Sequence, residues 1–343
     1  MGITRRHILA LTGSSLLARA FAASLPTISG KTAFDVDRLL DASSAEQGSI
    51  EIRKYVANAT VTLFSIPLVS KSSVGSGYAV VEEAGRMVSI QFGAGSWPES
   101  ARGLNRLGFI QEAVIEERPG CPSECAWLAF MTMSQEKSLD QAKRAVETGP
   151  PGVLGASSIP YSASQGYGRK SSFASRVDRL EFPRQYTWRD VTQLVGKARE
   201  AMAATTGEKQ ELTASGAEQP ATFLYVVRRA MLDARTRTSG CLIFNKKQFQ
   251  LDTQKEKDAD ATAHFAEKQM VPPAGTVMRM NALLTEKRTG EKTPFRLWYE
   301  AGAEQRPPLR FEYQAKSFLR LTFEADAKAD TPPVQFALKT SHF

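Results

Sequence analysis

Thr293 to Glu324, TPFRLWYEAGAEQRPPLRFEYQAKSFLRLTFE, is the stretch whose reading decides the fold. Apolar and polar residues alternate in three runs, with Ala-Gly and Pro-Pro between them, which is the pattern of three β-strands joined by turns. Phe295, Leu297 and Tyr299 point one way in the first run, Leu309, Phe311 and Tyr313 in the second, and Leu319, Leu321 and Phe323 in the third. Arg296, Arg310, Glu312, Arg320, Thr322 and Glu324 point the other way. Trp298 stands among that polar set, so the second face is expected to be partly covered. A meander with one bulky aromatic face needs a partner layer.

Working outward, Thr276 to Thr285 reads as a strand, and Cys241–Phe244 with Lys247–Leu251 as a hairpin around Asn245-Lys246. Thr222 to Ala234 is a predicted helix with Phe223, Val226, Val227, Ala230 and Leu232 toward the core, and Thr187 is a predicted N-cap for a helix over Trp188 to Ala204. Lys255 to Ala263 is charged and reads as loose. Nearer the N-terminus, Ser49 to Val69 turns β-like, and Tyr78–Glu83 with Met87–Phe92 forms a hairpin through Ala84-Gly85. Phe109–Glu117 and Ala126–Met133 are two more strands, while Ser100–Leu107 and Ser138–Glu147 read as short helices.

The fold class that follows is mainly β (α+β): a curved antiparallel sheet or half-barrel with two to four flanking helices. Residues 1–23 read as an export signal, 24–48 as a lead-in, and 49–148 as a first β-rich region. Residues 149–176 are dense in Gly, Pro and Ser and read as a linker or long surface loop. Residues 177–325 form a β-rich region with two helices, and 326–343 a tail or edge strand at Val334 to Leu338. One or two domains both fit 343 residues of 42% apolar composition.

The signal is a basic start at Arg5-Arg6, an apolar run from Ile8 to Ala18 and small residues around Ala20 to Ala23. Arg5-Arg6 followed by His7-Ile8-Leu9 points to the twin-arginine route, with ordinary secretion as the alternative. Loss of Arg5, Arg6 and Arg19 lowers the formal charge of +8 by three, to +5. The expected address is the periplasm, in soluble form after signal cleavage and without a transmembrane segment, where nucleic acid is not an expected partner.

That compartment is oxidising, so Cys121 and Cys125, in the apparent turn PGCPSEC, are a candidate disulfide, with free buried thiols as the alternative. Cys241 would be left over. A zinc site needs about four ligands, and His264 and His342 offer no useful spacing. No metal and no cofactor is expected. Catalytic patterns are equally thin. G-x-S-x-G is absent, His264 borders the segment read as loose, and Ser134-Gln-Glu-Lys137 lacks the companion motifs of serine acyl-enzymes. Glu82/Glu83 and Glu116/Glu117 are strand neighbours whose side chains diverge, and Asp258/Asp260 reads as a solvated turn. No catalytic residue is assigned.

The helix TFLYVVRR (222–229), the hairpin around Asn245-Lys246, PFRLWY (294–299) and PLRFEY (308–313) together resemble a group of uncharacterised, exported bacterial β-rich domains of unknown function. The resemblance covers about residues 180 to 325, with the Ser49–Phe92 strands at the other edge of the same sheet. It implies a curved antiparallel sheet or half-barrel outside the cytoplasm and transfers no catalytic residue. Candidate ligand-binding residues are Trp298, Tyr299, Arg296, Arg310, Phe311 and Tyr313, where aromatic rings beside arginines suit a lipid or a glycan, with a plain core-and-cover role as the alternative reading of the aromatics. The function expected is non-catalytic binding of such a ligand, or of an envelope protein, on the curved sheet. An enzyme acting on an envelope polymer is the alternative.

Overall fold

The computed structural model describes residues 49–63, 66–97, 107–133, 152–158, 161–163, 170–182, 193, 195, 208–213, 221–244, 247–316 and 319–329. The strands in chain order are β1 (Ser49–Leu63), β2 (Ile66–Ala84), β3 (Met87–Ser96), β4 (Leu107–Arg118), β5 (Cys121–Met133), β6 (Gly152–Ser158), β7 (Tyr161–Ala163), β8 (Lys170–Phe182) and β9 (Glu208–Thr213). Helix α1 (Phe223–Leu232) follows, then β10 (Arg237–Phe244), β11 (Lys247–Lys257), helix α2 (Ala259–Glu267), β12 (Val277–Glu286), β13 (Lys292–Glu300), β14 (Arg310–Lys316) and β15 (Leu319–Ala325).

All fifteen strands of the described residues belong to one sheet, in the order β10-β11-β12-β13-β14-β15-β1-β2-β3-β4-β5-β6-β8-β7, with β9 on β8. The strand pairs are antiparallel. Two meanders meet where β15 pairs with β1, Tyr55 opposite Ala325 and Ala57 opposite Phe323. The Ser49–Phe92 strands therefore sit in the middle of the sheet, on the far side of β15 from the deciding meander, rather than at an edge.

The sheet curls. Trp127 of β5 stacks on Phe244 of β10, ring centroids 4.6 Å apart, although ten places separate these strands in the sheet order. Between the two arms lies α1, whose Tyr225, Val226, Val227, Ala230 and Met231 are buried. They share one core with Val81, Ile90, Val114 and Trp127 from one arm and Leu242, Phe249, Met280 and Leu297 from the other. Burial of this apolar face, at about 25 cal/mol per Å², holds the curl. The predicted helix is thus present, and it fills the concave side rather than flanking the sheet. Inner-face glycines allow the curve to close tightly: a Cβ on Gly77 would lie 3.0 Å from the Gly93 carbonyl oxygen and 3.3 Å from the Phe323 ring.

Helix α2 packs on the opposite, convex face. Phe265 and Ala261 cover Trp298 and Val277 there, which is the covering layer that Trp298 implied; Leu309, just before β14, joins them instead of the Phe311 and Tyr313 face expected from its parity. Asp258 caps α2 by accepting from the Ala261 N–H at 2.9 Å.

Several expectations change. Lys255–Ala263 is not loose: it is the end of β11, a capping Asp258 and the start of α2. Residues 149–176 carry β6, β7 and the start of β8, because Gly, Ala and Ser can all supply ladder hydrogen bonds. The turn between β4 and β5 is Pro119-Gly120, Gly120 at φ +79°, so both cysteines belong to β5. Cys121, Cys125 and Cys241 are free thiols. Four residues of extended strand separate Cys121 from Cys125 by about 13 Å, too far for a disulfide to span. In β1, Ile50 and Ile52 face outward and are exposed, while Glu51, Arg53 and Tyr55 face inward. Of the helix predicted over 188–204 only Gln193 and Val195 are described, and both are helical. Of the helix predicted over 100–107 only Leu107 is described, and it begins β4; the helix predicted over 138–147, the export signal, the lead-in, Ser134 to Lys137 and the strand at 334–338 lie outside the described residues.

Candidate ligand site

The period of two places the six sequence-derived candidates on two faces. Arg296, Trp298 and Arg310 are convex. Trp298 is 5% exposed and donates its indole N–H to Asp258 Oδ2 at 2.9 Å. Arg310 lies over the Phe265 and Trp298 rings, 5.3 and 5.4 Å from the centroids. It also donates to Glu324 Oε2 from Nε at 2.9 Å. Glu324 Oε1 meets His264 Nε2 at 2.8 Å and Lys268 Nζ at 2.5 Å. Burial alone would raise the Glu324 carboxyl, but hydrogen bonds from Lys268 and His264, with the Arg310 charge, hold it down at about 2. Burial likewise opposes ionisation of Asp258, and the Ala261 N–H, the Trp298 indole and Arg279 overcome it. Asp258 is therefore a buttress of α2 rather than a solvated turn. Arg296 pairs with Glu312 at 3.1 Å. The convex arginines and Trp298 thus fasten α2 and the strands beneath it.

Tyr299, Phe311 and Tyr313 are concave. Tyr299 is buried in the core, and burial pushes its hydroxyl up to about 12. Phe311 stacks on Phe323 at 4.6 Å and meets Tyr55 and Phe92 edge-on at 5.3 and 4.9 Å. Tyr313 stands opposite Phe295 on one side and Leu321 on the other.

Around these residues the concave face is apolar and incompletely covered. Phe92, Ile110, Phe223, Phe295, Phe311 and Tyr313 pack against the core yet are each only partly buried. Phe223, the first residue of α1, lies edge-on to Phe295 at 6.0 Å, so the helix contributes one wall. Sequence reasoning missed Phe92, Ile110 and Phe223 for this role. Their strand or helix parity was legible, but the curvature that brings three separate elements to one concave face was not.

The helix forming that wall is held by charge at both ends. Thr222 at the N-cap makes no side-chain capping bond. Glu112 reaches in from β4 instead, Oε1 accepting from the Leu224 N–H at 2.8 Å and Oε2 from the Tyr225 N–H at 2.9 Å. At the other end Lys255 of β11 donates to the Met231 and Asp233 carbonyls. A carboxylate at the positive end and an ammonium at the negative end both complement the helix dipole. Burial nevertheless pushes the Glu112 carboxyl up to about 7 against the backbone donors that favour its charge, and burial lowers Lys255. Arg228 pairs with Glu83, and the Tyr225 hydroxyl donates to Glu116. Glu83 and Glu116 are thus tied to α1.

Among the described residues no group of three or more His, Cys, Asp or Glu side chains is placed to hold a metal ion. None of the described helices is long and apolar enough to cross a membrane. A search of solved structures finds a β-barrel-like protein of domain of unknown function DUF1849 from Brucella abortus, at 8% identity and a TM-score of 0.41, covering 80% of this chain and 96% of that chain. No protein-family model matches the chain, and no curated protein does.

Proposed function

We propose that this protein is a non-catalytic binder of an amphiphilic molecule, whose hydrocarbon part lies in the concave hollow beside α1. The observation that carries the reading is the set of inner-face aromatic and aliphatic side chains left partly open beside the buried core. Apolar area left open in such a hollow favours a hydrocarbon over a glycan, which needs rows of polar groups to replace its water. The inner carboxylates Glu83, Glu112 and Glu116 are engaged by α1, and this argues against the alternative of an envelope-polymer hydrolase. Residues 1–23 would deliver the protein to the periplasm by the twin-arginine route. Changing Arg5 and Arg6 together to Lys should then retain the precursor in the cytoplasm.

The test is fluorescence titration with N-phenylnaphthylamine, which brightens in apolar surroundings. Saturable brightening is expected with the wild type. Ala59→Trp, which adds an indole on the inner face beside Leu321, should abolish it while the circular dichroism spectrum stays unchanged. A wild-type protein that gives no saturable brightening refutes the reading.

A further inference from the structure

We propose that the chain beyond Ala329 returns to the sheet, and that its Val334–Leu338 segment pairs with an open edge of β1 in a gap inside the sheet rather than at either end of it.

The gap arises because β1 outruns one of its neighbours. β15 pairs with it only from Tyr55 to Val61, whereas β2 pairs with it back to Ser49. Lys54 is the last residue served on the β15 side, its carbonyl accepting from the Asp326 N–H at 3.0 Å. Residues two apart in a strand turn their N–H and C=O groups the same way. Ile52 and Ile50 therefore present both groups toward the β15 side, where neither has a backbone partner among the described residues. Their side chains lie on the outer face, 43% and 38% exposed. The 301–309 loop leaves this edge open. Arg306 reaches the Glu51 carboxylate at 3.4 Å and the Pro308 carbonyl accepts from the Tyr55 hydroxyl at 2.7 Å, both contacts made with inward-facing side chains. An unpaired strand edge beside exposed isoleucines is a template for one more strand.

The chain itself supplies the occupant. It meets Lys54 at Asp326 and turns there, the Ala329 N–H donating to the Asp326 carbonyl at 3.1 Å, and Ala329 is buried. Residues 330–343 thus set out from the gap. In Val334-Gln335-Phe336-Ala337-Leu338 the larger apolar side chains alternate, as in a strand with one apolar face. With Val334 opposite Ile52 and Phe336 opposite Ile50, a β-branched and an aromatic side chain cover the two isoleucines. Both also carry the N–H that those bonded positions require. Pro333 then falls opposite Arg53, whose own backbone groups face β2, and its missing N–H is no loss on an edge strand. A shift of one residue would set polar Gln335 beside an isoleucine, and a shift of two toward the prolines would set Pro332 at a bonded position. The connection left over is 327–332, an ordinary loop length. A second copy fits this edge less well: two Ser49–Arg53 segments laid antiparallel put Glu51 opposite Glu51, and like charges oppose such pairing.

The test is amide hydrogen exchange at Ile50 and Ile52 in the full chain, in a chain stopped after Ala329, and in Phe336→Pro, which removes one of the bonding N–H groups. The two amides are expected to exchange about tenfold more slowly in the full chain than in either variant. Amides of β3 and β4 should exchange alike in the full chain and Phe336→Pro, which shows that the rest of the sheet is kept. Equal exchange at Ile50 and Ile52 in those two proteins overturns the proposal. Protection that survives both changes and grows with protein concentration overturns it in favour of a second copy.

Discussion

Replacing Glu112 by Gln is expected to remove a pH dependence of stability that the buried carboxyl imposes. In the folded protein this group titrates near 7, against an ordinary value of 4.5, because burial disfavours its charged form. Between those two pH values the folded state holds a proton that the unfolded state has released, so stability falls as pH rises through the window. The gap corresponds to about 3 kcal/mol, present in full below pH 4.5 and lost above pH 7. Gln is the isostere of the protonated acid and keeps one carbonyl oxygen for the α1 amides. Variant and wild type should therefore agree within about 1 kcal/mol at the acidic end. At pH 8 the variant should be the more stable by about 3 kcal/mol. Urea unfolding at pH 5, 6, 7 and 8 reads this directly, and Trp127, the register partner of Glu112 on β5, supplies the fluorescence signal. Other titrating groups are common to both proteins and cancel in the difference. A stability difference that stays flat from pH 5 to pH 8 would refute the argument that burial, not the helix amides, dominates this site.

At the other end of α1, Lys255→Met should destabilise the fold by about 1–3 kcal/mol, since the Met231 and Asp233 carbonyls lose a charged donor; an unchanged urea midpoint would show that these carbonyls do not need it. Glu324 has the opposite linkage to Glu112: held at about 2 when folded, it contributes stability above pH 4.5 that is lost as pH falls toward 2. Glu324→Gln should accordingly flatten the acid limb of the stability curve by at most about 3 kcal/mol, and a variant with the wild-type acid limb would contradict this. Alkylation of the unfolded, unreduced protein should label Cys121, Cys125 and Cys241 alike, whereas a product carrying one label and two hydrogen atoms fewer on the unlabelled pair would reveal a bridge.

Much of this architecture is local information. Alternation in Phe295–Tyr299, Phe311–Tyr313 and Leu319–Phe323 specifies strands and assigns each side chain to one of two faces, because successive residues of a pleated strand must point oppositely. The same stretch showed that Trp298 needed cover, and the Phe223–Leu232 helix was legible from its apolar spacing. Parity alone cannot say which face is concave or what lies against it. That depends on the pairing of β1 with β15, residues more than 250 positions apart, and on α1 drawing two arms of the sheet together. Parity already separates Trp298, Arg296 and Arg310 from Tyr299, Phe311 and Tyr313; only this closure makes the second set concave and brings Phe92, Ile110 and Phe223 to the same side of the sheet. It also sets Glu112 and Lys255 at the two ends of a helix to which neither is adjacent in sequence. Local sequence fixes the alternatives open to each side chain; long-range burial, proportional to the apolar area the curl removes from water, selects among them.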